Sequence, residues 1–390
     1  MNRSLIVAGA LAAKPGNAGG AWERFSYAVG LRRLGFDVLF IEQVSTVPDA
    51  AAIRWFDDAA AFFAFTDAVA IVGPAGWAHG RERSGVRAAI AAADLVVNLG
   101  GNLLATDLLE AARATVFVDV DPGFTQIWHA DPGVPYQVPR HDHYVTIGEN
   151  IGTAGCPIPT GGLPWKPTRQ PVLLDHWPMV ATRGCRRFTT IASWRGPFGS
   201  LIHDGVTYGQ KVHEFRGVLD LPRRVPAAFE LALEIHAGDA RDRDALTAAG
   251  WTLVSPVDAV PTPAAFRSFI QRSDAEFSVA QGVYAQAASG WFSDRSTRYL
   301  ASGRPVLVQD TGLTTIPTGD GIVTFRSLDD AAAGGERIIR DHAAHARAAR
   351  RIAETHFDSD LVLRRLLADC GIEPHASSGN SCAARGTLRR

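Results

Sequence analysis

Two kinds of apolar pattern alternate along this chain. Short unbroken apolar runs read as strands buried on both faces, and longer stretches with apolar positions three and four apart read as amphipathic helices. Residues 5–10 form the first strand, and residues 21–34 set Trp22, Phe25 and Val29 on one helical face before Gly35 stops the helix. Residues 36–41 give a second strand, so 5–41 reads as one βαβ unit. The Gly-rich stretch between them, which ends on Gly19 and Gly20, either brings backbone close to a phosphate or sugar or is a plain tight turn. The alternation then predicts a helix over 49–68, a strand over 68–72, a helix over 83–93, a strand over 94–99, a helix over 103–112 and a strand over 115–121. This last strand runs into Pro122 and Gly123. Ligands of open α/β sheets collect outside the carboxyl ends of the strands, which makes that loop a site candidate.

From about 130 to 180 the pattern weakens, and Pro and Gly mix with His141, His143, Trp165, Arg169 and Trp177. So aromatic a segment is expected to pack along a domain junction. A second α/β series follows, with strands over 187–194, 231–236, 251–254 and 275–279 and helices near 210–220, 242–249 and 263–271. After the stretch 289–308 come a strand at 321–325, helices around 328–355 and 358–369, and a polar tail from about 373 that is expected to be disordered. The pattern thus gives two consecutive parallel α/β domains, residues 1–178 and 179–372, with a cleft between them.

The stretch 289–308 concentrates chemistry. Ser293, Asp294 and Ser296 can cap a helix start, Gly303 is placed to end the helix, and Pro305 opens the buried strand Val306-Leu-Val. The free N–H groups of such a start suit an anion, and Arg295 and Arg298, three apart on one face, add positive charge. Ser296 and Thr297 either bond a phosphate or merely cap. This is a candidate diphosphate seat.

Composition narrows the partners. The formal charge is −1 and the pI is near 6.9, so no global basic field exists to hold nucleic acid or an anionic membrane, and small partners are expected. Cys156, Cys185, Cys370 and Cys382 form no CxxC pair, which fits a reducing cytosol better than a zinc site or disulfide framework. Arg3 and the apolar residues after it resemble a short secretory leader, but the run leads directly into the Gly-rich turn as a first βα unit does. No apolar run approaches the ~18 residues needed to cross a bilayer. A GxGxxG dinucleotide fingerprint is absent from the sequence.

The first βα unit with its Gly-rich turn, the strand entry at Gly35-Phe-Asp-Val and above all residues 290–308 resemble the GT-B glycosyltransferases. The resemblance implies two Rossmann-like α/β/α domains facing across a cleft, with acceptor bound by the first and nucleotide sugar by the second. The helix-Gly-x-Pro-Val arrangement resembles the donor-binding helix of that fold. Asp294 falls at its early part, and Arg298 stands where the retaining branch carries a second acid. The inverting branch's His-rich motif is absent, so the likeness is to the fold rather than to a subfamily. Arg195 and Lys211 lie about where retaining members place an Arg and a Lys on the diphosphate, and they would stabilise the departing charge. A base for the acceptor hydroxyl is expected from the first domain, with Asp121 preferred over His129, His141 and His143. Asp119 and Asp121 also spell DxD, which holds a metal in a different glycosyltransferase fold that the rest of this chain does not follow. Trp22, Trp291 and Phe292 suit the core better than a ligand platform.

The resulting expectation is a cytoplasmic hexosyltransferase that moves a sugar from a nucleoside diphosphate sugar to a small hydroxyl-bearing acceptor without metal or redox cofactor. A homodimer is compatible with it. The alternatives are an enzyme like the UDP-sugar 2-epimerases and a nucleotide-sugar binder without turnover. On this reading Arg298→Ala should weaken nucleotide binding far more than stability.

Overall fold

The apolar runs pair into two large sheets in the computed structural model, which describes residues 3–181, 184–196 and 198–373. The expected tail, with Cys382, lies outside the described residues apart from its first position. The first sheet contains β1 (Ser4–Ala8), β2 (Asp37–Gln43), β3 (Val69–Val72), β4 (Ala78–His79), β5 (Leu95–Leu99), β6 (Thr115–Asp119), β7 (His143–Thr146) and β8 (Lys166–Pro167). Their order is β4-β3-β2-β1-β5-β6-β7-β8, and only β3 and β4 run antiparallel. A hairpin of β10 (Leu201–His203) and β11 (Val206–Tyr208) follows β9 (Arg187–Ser193). The second sheet adds β12 (Ala228–Glu234), β13 (Trp251–Val254), β14 (Ala275–Ser278), β15 (Val306–Gln309) and β16 (Ile322–Phe325) to β9, all parallel in the order β13-β12-β9-β14-β15-β16.

Both sheets therefore share a Rossmann kernel, in which the first strand is flanked by the second on one side and the fourth parallel strand on the other, β1 by β2 and β5 and β9 by β12 and β14. Strand order reverses between β1 and β5 and again between β9 and β14, and the carboxyl ends of those pairs open the crevices where ligands settle. Runs such as Leu95–Leu99 and Val69–Val72 are buried along their whole length because helices cover both faces.

One continuous core joins the two halves. The first helix, α1 (Ala18–Arg33), carries Trp22, which is 0% exposed and packs against Phe63 at 4.8 Å and Trp177 at 4.6 Å between ring centroids. Its indole nitrogen donates to the carbonyl of Pro263 at 2.9 Å, in the helix Pro263–Gln271 of the second half. Residues of the Pro- and Gly-rich segment seal the junction as expected. The Asn150 side chain donates to the carbonyls of Ala288 and Gly312 at 2.8 Å each, and Gln170 donates to Phe292 at 2.6 Å. The chain then returns: the helix Ser359–Asp369 lies along α1, where Leu363 occupies the space a Cβ on Gly30 would need.

Several elements differ from the sequence reading for local reasons. The helix expected over 103–112 is reduced to the single turn Thr106–Leu109. Asn98 binds both the N–H and the carbonyl of Leu103 at 2.9 Å, and Gln43 takes the N–H groups of Leu104 and Ala105 at 2.7 and 2.8 Å. Side chains thus satisfy the backbone that a helix would otherwise pair. The helix expected to reach 68 stops at Phe62, and Ala64 turns left-handed at φ 58°. The strand expected to reach 121 ends at Asp119, and the β10–β11 hairpin has no counterpart in the expected pattern.

The shared core gives a stability prediction. Trp22→Ala should lower the free energy of unfolding by about 3–5 kcal/mol, since it empties a fully buried site at the junction. Guanidinium denaturation checks this, and a loss under about 1 kcal/mol would mean that Trp22 does not join the halves.

Candidate active site

A cleft of about 790 Å³ lies between the carboxyl edges of the two sheets. On one side the loop after β1 and the start of α1 supply Lys14, Gly19, Gly20, Glu23 and Arg24, and on the other stand Ser193, Lys211, Trp291, Asp294 and Arg295. Glu42, 0% exposed at the carboxyl end of β2, shapes the first wall. Its carboxylate accepts the N–H groups of Leu11, Ala12 and Ala13 at 2.8, 2.7 and 2.8 Å, which folds the loop that carries Lys14 to the cleft. Burial pushes the Glu42 carboxyl up while these three N–H groups pull it down. Gly19 and Gly20 lie in the first turn of α1, where the Asn17 side chain caps the N–H of Gly20 at 2.9 Å.

The second wall carries the cations. Lys211 opens the helix Lys211–Gly217, and its backbone N–H donates to the Gln281 side chain at 2.9 Å. Its ammonium makes no hydrogen bond or ion pair with the described residues. Burial first, then repulsion from Arg295, lowers Lys211 to about 8, against the attraction of Glu276. Arg295 is anchored: Nε reaches Glu276 and Nη1 the Ile191 carbonyl at 2.6 Å each, and Nη2 reaches Ser278 at 2.7 Å. A fixed guanidinium beside an unpaired ammonium at a helix start suits a polyanion.

The first wall holds protons. Asp121 stands just past β6, next to the cleft-lining Val120. Its carboxyl is raised to about 6, first by the loss of water between the sheets and then by Asp119, while Arg24, Lys14 and a hydrogen bond from Tyr284 act the other way. Asp121 keeps an exposed face, which relieves part of that desolvation; the upward direction, shared with the Asp119 repulsion, is what the chemistry uses. Trp291 lines the cleft and stacks on Tyr284 at 4.4 Å. Glu23 is raised to about 7 chiefly by burial, which outweighs its ion pair with Arg24, and the carboxylates of Asp294 and Asp121 add to the rise. Asp119 is 0% exposed and accepts from Thr125, Gln126 and Thr146 at 2.7, 2.7 and 2.6 Å and from the Asp121 N–H at 3.1 Å. Both its oxygens are occupied, so Asp119 is the hydrogen-bonded hub of the turn that follows β6.

Of the residues singled out in the sequence, Gly19, Gly20, Lys211, Ser293, Asp294 and Arg295 line the cleft, Asp121 adjoins it, and Trp291, expected in the core, lines it too. Arg298, Ser296, Thr297, Arg195 and the histidines do not line it. Arg298 is 0% exposed: it pairs with the Asp294 carboxylate, donates to the Asp294 carbonyl at 2.7 Å and reaches the Ser26 hydroxyl of α1 at 3.4 Å. It braces the helix Asp294–Ala301 from behind and does not reach a ligand in the cleft. Ser296 and Thr297 are also 0% exposed, and Thr297 bonds back to the Asp294 carbonyl at 2.6 Å. Ser296 lines a small pocket of about 10 Å³ that shares Trp291 and Ser293 with the cleft. Ser293 precedes the helix without a side-chain cap bond.

Arg195 turns to Asp239 at 2.5 Å and is held there, which also pulls the Asp239 carboxyl below its usual range. His129, in the helix Phe124–Ala130, accepts the N–H of Val138 at 3.2 Å and does not line the cleft. His141 is buried between Asn98 at 3.2 Å and the Pro139 carbonyl at 2.7 Å, and His143 opens β7 opposite Val116. The expected diphosphate and base roles of Arg298, Arg195 and these histidines thus lose their geometric basis. Glu23, Arg24 and Glu42 were missed. The signals were present: a charged pair three and four residues after Gly20 on a helix that is otherwise apolar there, and an acid inside an apolar strand.

No protein-family model matches the chain, and no curated protein matches it in sequence. Solved structures do align over nearly its full length. The chain is similar to AviGT4, a glycosyltransferase involved in avilamycin A biosynthesis, at 14% identity and TM-score 0.54, over 95% of this chain and 97% of that one. It is similar to an alpha-glucosyltransferase solved with UDP and a DNA containing an HMU base, at 10% identity and TM-score 0.61, over 95% and 100%. HepE from Anabaena, solved with UDP-glucose, aligns at 12% identity and TM-score 0.56, over 94% and 98%. The fold is therefore GT-B, two Rossmann-like domains across a cleft.

The placement of Arg298 reverses the expectation formed from the sequence. Arg298→Met should cost about 2 kcal/mol of stability, because it removes the charged hydrogen bonds that hold the part-exposed Asp294 carboxylate and frees the helix start from α1. Chemical denaturation measures the loss. An unchanged midpoint with abolished ligand binding would return Arg298 to the cleft.

Proposed function

We propose that the protein is a transferase that moves a glycosyl group from a nucleoside diphosphate sugar to a hydroxyl of a small-molecule acceptor. The observation that carries this reading is the unpaired ammonium of Lys211, which faces the proton-holding carboxyls of Asp121 and Glu23 across one cleft. An anion seat and a base on opposite walls are what the reaction needs. As the glycosidic C–O bond to the phosphate breaks, charge grows on the diphosphate. Lys211, the anchored Arg295 and the N–H groups opening the helix Asp294–Ala301 stabilise it in a site already oriented for it. Asp294 would oppose an anion there, but the buried Arg298 neutralises it from behind.

On the acceptor side Asp121, raised toward 6, gives up its proton below neutrality and can then take one from the acceptor hydroxyl. Tyr284 adjoins the Asp121 carboxyl, and Trp291 stacks on Tyr284. Glu23, nearer 7, is a second carboxyl that holds a proton close to Asp121. Neither step calls on a metal or redox cofactor. Each of the aligned structures is described as a glycosyltransferase or is solved with a UDP-sugar, which supports the class of reaction and leaves the acceptor to the cleft's own size and charge. The free thiols of Cys156, Cys185 and Cys370 are consistent with work in a reducing cytosol. Among the described residues no helix is long and apolar enough to cross a membrane.

The test is pH-dependent transfer. Activity should rise with pH through about 6 as Asp121 ionises, and donor binding should weaken above about 8 as Lys211 loses the charge that meets the diphosphate. Asp121→Asn should lower turnover by about 10²-fold or more and remove the acidic limb, with donor affinity little changed. Lys211→Met should instead raise the dissociation constant for UDP or GDP by about tenfold and remove the alkaline limb of binding. Conversion of a UDP-sugar to its isomer without acceptor would favour an epimerase. Full transfer activity in Asp121→Asn would remove Asp121 as the base.

A further inference from the structure

The edge of the second sheet arranges its chemistry strand by strand. At the end of β9 lie the cations, with Lys211 opening the next helix and Arg295 bound to the carbonyl of Ile191. One strand outward, β12 ends on Glu234, which lines the same cleft. One strand further, β13 gives way to Pro256 and Val257, and Val257 is 78% exposed. Neighbouring strands lie roughly 5 Å apart, so charge, acid and apolar ledge succeed one another at about the spacing of the phosphate, pentose and base of a nucleotide.

Glu234 is exposed to the cleft at the end of its strand. It pairs in register with Ser193 on the last rung between β9 and β12, and its carbonyl accepts the N–H of Trp194 at 2.8 Å. The Ser193 hydroxyl donates to one carboxylate oxygen at 2.9 Å and leaves the other without a protein donor. No Lys or Arg among the described residues forms an ion pair with Glu234. An unpaired carboxylate beside a polyanion seat repels the ligand unless it receives hydrogen bonds from it. In a nucleoside diphosphate the groups able to donate at that distance from the phosphates are the pentose hydroxyls. The strand order of this sheet gives the same answer: in a Rossmann kernel an acid at the carboxyl end of the second strand is placed to bind a ribose hydroxyl. Here β12 is that second strand.

We infer that Glu234 accepts hydrogen bonds from the 2′- and 3′-hydroxyls of the bound nucleotide and makes the cleft selective for ribonucleoside over 2′-deoxyribonucleoside diphosphates. This assignment rests on the nucleotide-sugar reading given above. It also gives the ribose a carboxylate ligand on the second sheet, since Arg298 occupies the helix position where an acid was expected and is turned away from the cleft.

Calorimetric titration of the full chain with matched pairs tests it: UDP against 2′-deoxy-UDP, GDP against 2′-deoxy-GDP and ADP against 2′-deoxy-ADP. The wild-type protein should bind the ribose form of its preferred base about tenfold more tightly than the deoxy form. In Glu234→Gln and Glu234→Ala that ratio should fall to within about twofold of unity, mainly through loss of affinity for the ribose form. Because the ratio is internal to each variant, a general loss of stability does not mimic it. Equal affinity of the wild-type chain for both members of a pair overturns the assignment and leaves the nucleotide reading intact, as does an undiminished ratio in both variants. Binding of none of the six nucleotides removes the nucleotide reading and this assignment with it.

Discussion

The cleft depends on a guanidinium that never enters it. Arg298 is wholly buried, and a charge so placed is tolerable only if paired. Its partner is Asp294, the first residue of the helix that faces the ligand space, and its second reach is to Ser26 on α1. That arrangement cancels a carboxylate at a helix start meant for an anion and ties the start to the opposite half of the molecule. Around it the core closes: Trp177 lies 6.0 Å from the Arg298 guanidinium, Trp22 packs on Trp177, and Trp22 is bonded to the second half through Pro263. Arg350 donates to the carbonyls of both Trp177 and Ala301 at 2.7 Å, at the other end of the same helix.

With the walls fixed, the chemistry divides by sheet. The second sheet supplies positive charge held by internal anchors, as Arg295 is by Glu276, and one ammonium left free in Lys211. The first half supplies carboxyls whose protons are retained toward neutrality, Glu23 chiefly by burial and the more exposed Asp121 with the help of the like charge of Asp119. The loop between β1 and α1 joins these functions through the buried carboxylate of Glu42, which turns backbone N–H groups inward and leaves Lys14 at the cleft.

Much of the fold was legible in the sequence, because buried parallel strands write themselves as apolar runs and helices as apolar spacing. Helix 263–271 and strand 251–254 match the structure residue for residue. Elements governed by side-chain contacts distant in sequence were not legible. The turn at Leu103 is set by Asn98 and Gln43, and the end of β6 by the donors that Asp119 gathers. The site was readable as composition and less so as direction. The stretch 289–308 does stand at the cleft, yet of two arginines three residues apart, Arg295 faces the ligand side and Arg298 the core. Helical spacing groups residues on a face but does not say which face is covered, and here α1 covers it. Glu23 was passed over because its distinctive feature, a raised proton affinity, comes from Asp294 and Asp121 as well as burial, and only folding brings those together.

The most direct test of the central claim is a crystal structure of the full chain with its preferred nucleoside diphosphate. The account predicts the diphosphate within hydrogen-bond reach of the Lys211 ammonium and of the N–H groups that open the helix Asp294–Ala301, with Arg298 still buried against Asp294. A nucleotide bound outside this cleft, or one whose phosphates displace Arg298 from Asp294 to meet it, would contradict the account.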